Sequence, residues 1–203
     1  CTNKLISLNK KINMYKSSKN SWGLVAKIFH WIVALLIIWQ LFTGFNLSIS
    51  EFSPQKIAFI EIHKIFGTLI LIFILIRLGW RFYNTPPSNK DLPKFHRIIS
   101  TIIHNLLYLI VIFTTIQGTL MTQAGGFDVK LLGLITVPRL IAENLDMYPT
   151  FKSFHYILWM TLLTTFLIHL IGGIYHRFSG DKYGVWQRMS FWSKKKKIFK
   201  LRP

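Results

Sequence analysis

Apolar and polar positions divide the chain into four long apolar stretches, roughly Leu24 to Phe45, Ile57 to Trp80, Ile98 to Met121 and Phe154 to Tyr175. Each holds about 22 to 24 residues, and at about 1.5 Å of helical rise per residue each crosses a hydrocarbon layer of roughly 30 Å. The third and fourth contain no Asp, Glu, Lys or Arg. The first is interrupted by Lys27 near its start, and the second by Glu61 and Lys64 at one end and Arg77 at the other. Charges near helix ends can reach back to water along their own aliphatic stems, so all four stretches are expected to span a bilayer. The first is too long for the apolar part of a signal peptide, and no small-residue cleavage site follows it. The pattern predicts an all-α membrane protein, a bundle of four transmembrane helices spanning residues 21–188. A basic arm, 1–20, precedes the bundle and a basic tail, 189–203, follows it.

Charge orients this bundle. The chain has 25 Lys and Arg against seven Asp and Glu, yet 51% of its residues are hydrophobic. Assigning segments alternately to two sides places the arm, the loop from Asn84 to Asp91 and the tail with Lys194 to Lys197 on one side, with Asp91 and Asp181 as its only acids. The other side holds Lys56, Lys64, Lys130, Arg139 and Lys152 against Glu51, Glu61, Asp128, Glu143 and Asp146, and is neutral. The positive-inside rule then makes the basic side, with both termini, cytoplasmic. Membrane lipid is the partner this asymmetry implies, and nucleic-acid binding is not needed to explain the basic balance. The single cysteine, Cys1, excludes an internal disulfide, a Cys-based zinc or iron–sulfur site and a Cys-x-x-Cys-His attachment of haem c.

Five of the seven histidines, His30, His63, His104, His155 and His169, fall inside the apolar stretches. Ionisable side chains are rare in lipid, so this density asks for a function. With the termini inside, His30 lies about 9 Å from the inner end of its helix, and His169 reaches a similar depth at about 21 Å from His155. His63 and His155 both fall near the outer end. The fourteen residues from His155 to His169 turn through about 1400°, some 40° short of four full turns, so both project from nearly one face. The same interval takes His30 to Gly44, His63 to Arg77 and His104 to Gly118. Gly44 would let a flat macrocycle press on backbone at the outer level, and Arg77 would offer a guanidinium to a propionate at the inner one.

Planar cofactors held between two imidazoles in a helical bundle are haems. Bis-histidine iron has no open position, so its work is one-electron transfer. Intramembrane histidines can also bridge helices by hydrogen bonds, line a proton path or bind zinc or copper. A haem-free transporter or assembly factor is therefore the contrasting reading. His104 also lies at the inner level, which leaves three candidates for two places on an inner iron.

Several motifs carry a resemblance: Phe29-His30-Trp31, His63-Lys64-Ile65-Phe66-Gly67, Arg77-Leu78-Gly79-Trp80-Arg81, Pro86-Pro87, Gly118 to Met121 with Gly125-Gly126, and His155, His169 and His176 at intervals of fourteen and seven. Together they resemble the prokaryotic cytochrome b561 family over about residues 21–188. The resemblance implies a membrane-integral protein with two haem b groups, His30 with His169 on one and His63 with His155 on the other. His104 matches a family histidine that is not a ligand. It also implies electron transfer between a periplasmic-side donor, superoxide or a redox partner protein, and ubiquinone as substrate. Superoxide:ubiquinone oxidoreductase is one such activity, and the cytochrome b anchor of a hydrogenase- or dehydrogenase-type complex is another. The neutral outer face would steer an anion weakly. Arg77, His176 and Arg177, with Lys27 at the rim, are the candidate quinone site, since cationic and hydrogen-bonding groups stabilise a reduced quinone.

Overall fold

The computed structural model describes residues 14–18, 21–84, 86–88, 90, 92–179 and 184–191. Cys1, most of the basic arm, Asp91, Asp181 and Lys194 to Lys197 lie outside the described residues. Four long helices follow one another: α1 (Leu24–Ile49), α2 (Pro54–Tyr83), α3 (Lys94–Ala124) and α4 (Tyr148–Phe178). All four are long and apolar enough to cross a membrane. A two-stranded antiparallel hairpin, β1 (Lys130–Leu131) and β2 (Ile135–Thr136), interrupts the loop between α3 and α4, and a short α5 (Val185–Met189) follows α4.

Each long helix runs past its apolar stretch, because a helix does not stop where hydrocarbon stops. Local chemistry sets the ends. Ser53 accepts the backbone N–H of Lys56 at 3.2 Å, and Pro54 begins α2 where a missing N–H costs nothing. The same helix closes at Tyr83, ahead of Pro86 and Pro87, with the Asn84 N–H returning to the Trp80 carbonyl at 2.8 Å. Gly125 ends α3, and Gly126 turns the chain at φ 83, a backbone conformation that suits glycine.

Helix α1 packs along α2, α3 packs along α4, and α2 joins the two pairs through α3, whereas α1 and α4 approach only sparsely. Val33, Ile37, Leu41, Ile70, Ile74, Tyr108, Ile110, Val111 and Leu162 form the buried core. Outward-facing Leu35, Phe42, Leu109, Phe113 and Ile171 are each more than half exposed, as expected where lipid is the solvent.

Helix α5 was not legible as an element in the sequence. Its closing carbonyls are held by donors from the start of α1: Trp22 N–H to Arg188 at 3.3 Å, Trp31 Nε1 to Met189 at 3.2 Å and Lys27 Nζ to Ser190 at 2.8 Å. Met189 and Ser190 therefore pack with the bundle, although the expected boundary assigned them to the tail. These contacts define a terminal end of the bundle, opposite the hairpin end.

Two histidine levels in the bundle

Near the hairpin end, α2 and α4 bring His63 and His155 together with ring centres 6.5 Å apart. Each ring is oriented through Nδ1. His155 Nδ1 lies 2.9 Å from Gln117 Oε1 on α3, an oxygen that can only accept. His63 Nδ1 lies 2.9 Å from Thr43 Oγ1 on α1, a hydroxyl that also has the Gln40 carbonyl at 3.2 Å. Gln40 Nε2 in turn donates to the His63 backbone carbonyl at 3.0 Å. Gln117 puts the His155 proton on Nδ1 and leaves its Nε2 lone pair free for a metal, whereas the Thr43 hydroxyl orients the His63 ring and can either accept from or donate to it.

Glycines flank this level. A Cβ built on Gly118 would lie 2.9 Å from His155 Cε1, and one on Gly44 would lie 3.0 Å from Trp159 Nε1 and 3.6 Å from His63 Cε1. Gly44 thus lies beside Trp159 and the His63 ring. Trp159 Nε1 is buried with no hydrogen-bond partner, one of two such side-chain atoms among the described residues. Gly67 meets the Gln40 side chain and Gly172 meets nothing within 4 Å, so neither approaches a histidine ring.

Toward the terminal end, α1 and α4 bring His30 and His169 together at 6.2 Å between ring centres. His104 on α3 adds a third ring, 5.2 Å from His169, with its Nδ1 at 3.3 Å from Ser100 Oγ. Two metal–imidazole bonds of about 2 Å on opposite sides of one metal separate ring centres by roughly 6 Å. The 6.2 and 6.5 Å pairs fit that span and the 5.2 Å pair is short for it. Arg77 Nη2 is 3.1 Å from His30 Nδ1. Its guanidinium carbon lies 5.1 Å from the Tyr108 ring centre, and that of Arg81 lies 5.3 Å from the same ring.

A cavity of about 20 Å³, lined by Trp22, Ala26, Arg77, Trp80, Arg81, Tyr108 and Met189, lies under α5. Trp80 Nε1 is the other buried donor with no partner. His176 and Arg177 stand on the last turn of α4 and do not line this cavity. His176 packs instead on His96, with ring centres 5.9 Å apart, and Arg177 lies over Phe178. Lys27, expected at the same rim, is spent on holding α5. Sequence reasoning missed His96, Thr43 and Gln117. An amide within an apolar run was the available signal for Gln117, since such a group needs a partner in lipid.

The fold and the paired imidazoles define a multi-pass helical membrane protein with facing histidines at two levels. Its sequence matches the family model of prokaryotic cytochrome b561 over residues 21–192, and the chain belongs to that family of membrane haem b electron carriers. Cytochrome b561 homolog 2 of Escherichia coli (strain K12) is 24% identical over 179 residues, covering 86% of this chain and 94% of that protein.

Proposed function

We propose that this chain carries two haem b groups and moves electrons from a periplasmic-side donor to the ubiquinone pool, with its terminal end cytoplasmic. The observation that supports it best is the pair of histidine couples at 6.2 and 6.5 Å, two levels apart on the same α4. His30 and His169 would hold one haem, and His63 and His155 the other. Bound there, the cofactor supplies reversible one-electron exchange at an iron with no free coordination position.

The chain's own groups do the rest. Thr43 and Gln117 orient the rings through Nδ1 at the hairpin level, and Gly44 and Gly118 keep space beside the rings. The apolar core, from Val33 to Leu41 on α1 and at Ile70 and Ile74 on α2, keeps water out between the levels. Arg77 is the group for a haem propionate, or for the developing charge of a quinone being reduced, and His176 and Arg177 form a second cationic point on α4. Two electrons and two protons convert one quinone to quinol. Superoxide as donor would release one electron per molecule and leave dioxygen.

A visible spectrum of the purified protein tests the first half. Dithionite should bring up sharp low-spin haem b bands with two haems per chain, and a folded, colourless protein would overturn the reading. Stopped-flow reoxidation by a soluble quinone tests the second half. Arg77→Gln should slow it several-fold with haem content retained, while Lys130→Gln should leave it unchanged. Equal rates in Arg77→Gln and the unaltered protein would move the quinone elsewhere.

A further inference from the structure

The β1–β2 hairpin lies against a membrane-spanning helix, and its tip is apolar. Leu134 is 82% exposed and Ile135 65%, with Leu132 beside them also exposed. The turn is fixed to α2: the Leu132 N–H donates to Thr68 Oγ1 at 3.3 Å, and Gly133 packs on Ile65. Thr68 is near the midpoint of the 30 residues of α2, and five residues beyond His63, about 7.5 Å further toward the terminal end. The tip therefore reaches down beside the middle of α2, about 6 Å or one turn past Lys64, the last charge of that helix's polar end.

Polarity changes along the hairpin in the same sense. At its base, Lys64 Nζ binds the Asp128 carbonyl at 3.0 Å and Glu61 at 2.6 Å, and Arg139 pairs with Asp128 at 3.1 Å. The tip carries leucine, glycine and isoleucine. Backbone entering hydrocarbon must satisfy its own polar groups. Here the donor side of that demand is met, since the N–H groups of Leu132, Gly133, Leu134 and Val137 are bonded to Thr68 Oγ1, Lys130, Leu131 and Val129 respectively. In water the Leu132 N–H would need no help from Thr68, whereas in lipid it would.

We propose that the β1–β2 hairpin is a re-entrant membrane anchor whose tip, Leu132 to Ile135, sits among the acyl chains of the leaflet at the hairpin end. The occupant is lipid because the exposed apolar tip lies against Ile65 and Thr68 within the apolar run of α2, and its polar base marks where water begins. Lys130, at the strand start, can extend its ammonium back to the headgroups. The hairpin would fix the depth and rotation of α2, which carries His63, relative to the membrane surface.

Site-directed spin labelling in lipid nanodiscs tests this, because Cys1 is the only cysteine and Cys1→Ser gives a clean background. Labels go on Leu134→Cys and, as a second tip site, Ile135→Cys. Phe113→Cys on the exposed face of α3 is the lipid reference, and Asp146→Cys in the loop is the water reference. The tip labels should match Phe113, with strong collision with oxygen and several-fold less collision with a water-soluble nickel chelate than at Asp146. Tip labels that match Asp146 would overturn the anchor. Labels shielded from both reagents would also overturn it, and would assign the tip to a protein contact such as a second copy. Thr68→Val should shift both labels toward the aqueous value, and unchanged labels would overturn the role given to Thr68. Helical content by circular dichroism confirms folding in every variant.

Discussion

The two histidine levels use the same residue type on the same α4, yet their surroundings differ. At the hairpin level both Nδ1 atoms face neutral partners, the Gln117 amide oxygen and the Thr43 hydroxyl. At the terminal level His30 Nδ1 faces a guanidinium, which can only donate. A neutral His30 that accepts there carries its proton on Nε2, the nitrogen a metal would need. On the proposed reading, the hairpin-level rings would be oriented for ligation by the protein, and the terminal-level ring of His30 would need Arg77 to turn to another acceptor, such as the carboxylate of a haem propionate.

The largest effects should come from the ligands themselves. His63→Ala and His155→Ala should each remove about one haem per chain and spare the terminal level, and His30→Ala and His169→Ala should do the reverse. Haem-to-protein ratio and redox titration check this, and a variant that loses both haems while keeping its helical content would show that the levels are not independent. Gly118→Val comes next. Its Cβ would stand 2.9 Å from His155 Cε1, so the ring must move, and the hairpin-level haem should be lost. Gly172→Ala, on the same α4 but with nothing within 4 Å, should retain both haems.

How far these differences could be read beforehand depends on how each is encoded. The four helices are written in consecutive apolar residues, and the depth match of His30 with His169 and of His63 with His155 follows from helical rise alone. Cross-helix hydrogen bonds have no such signature. Thr43 and Gln117 sit on α1 and α3, and neither spacing nor composition says which histidine each will meet. The grouping of Arg77 with His176 and Arg177 was a depth argument, and depth leaves rotation about the helix open. The structure turns Arg77 toward His30 and Tyr108, and His176 toward His96. Strands of two residues and a helix of five are too short for periodicity, so the hairpin was legible only as loop, and α5 only as the unstructured edge between bundle and tail.

Orienting partners should matter less than ligands, and only at one level. Gln117→Leu and Thr43→Val each remove the polar partner of an imidazole Nδ1, and losses of this kind typically cost about 10- to 100-fold in metal affinity. Haem titration of the apoprotein should show weaker binding at the hairpin level and unchanged binding at the terminal level. Equal weakening at both levels would contradict the idea that orientation is built in at only one.

The smallest effect should be that of His104→Ala, and it bears most directly on the crowded level. His104 lies 5.2 Å from His169, short for two rings on opposite sides of one metal, and its Nδ1 already has Ser100 Oγ within reach. His30 spans 6.2 Å to the same His169. With His104 as a packing neighbour, its removal leaves a polar gap beside His169 and changes the local field around that haem, without removing a ligand. His104→Ala should therefore retain two haems per chain and keep low-spin bands at both levels, with a modest shift in the midpoint potential of the terminal-level haem. Loss of that haem in His104→Ala, with retention in His30→Ala, would transfer the ligand role from α1 to α3. Both ligands of the terminal level would then lie on the closely packed α3–α4 pair, and α1 would carry no ligand.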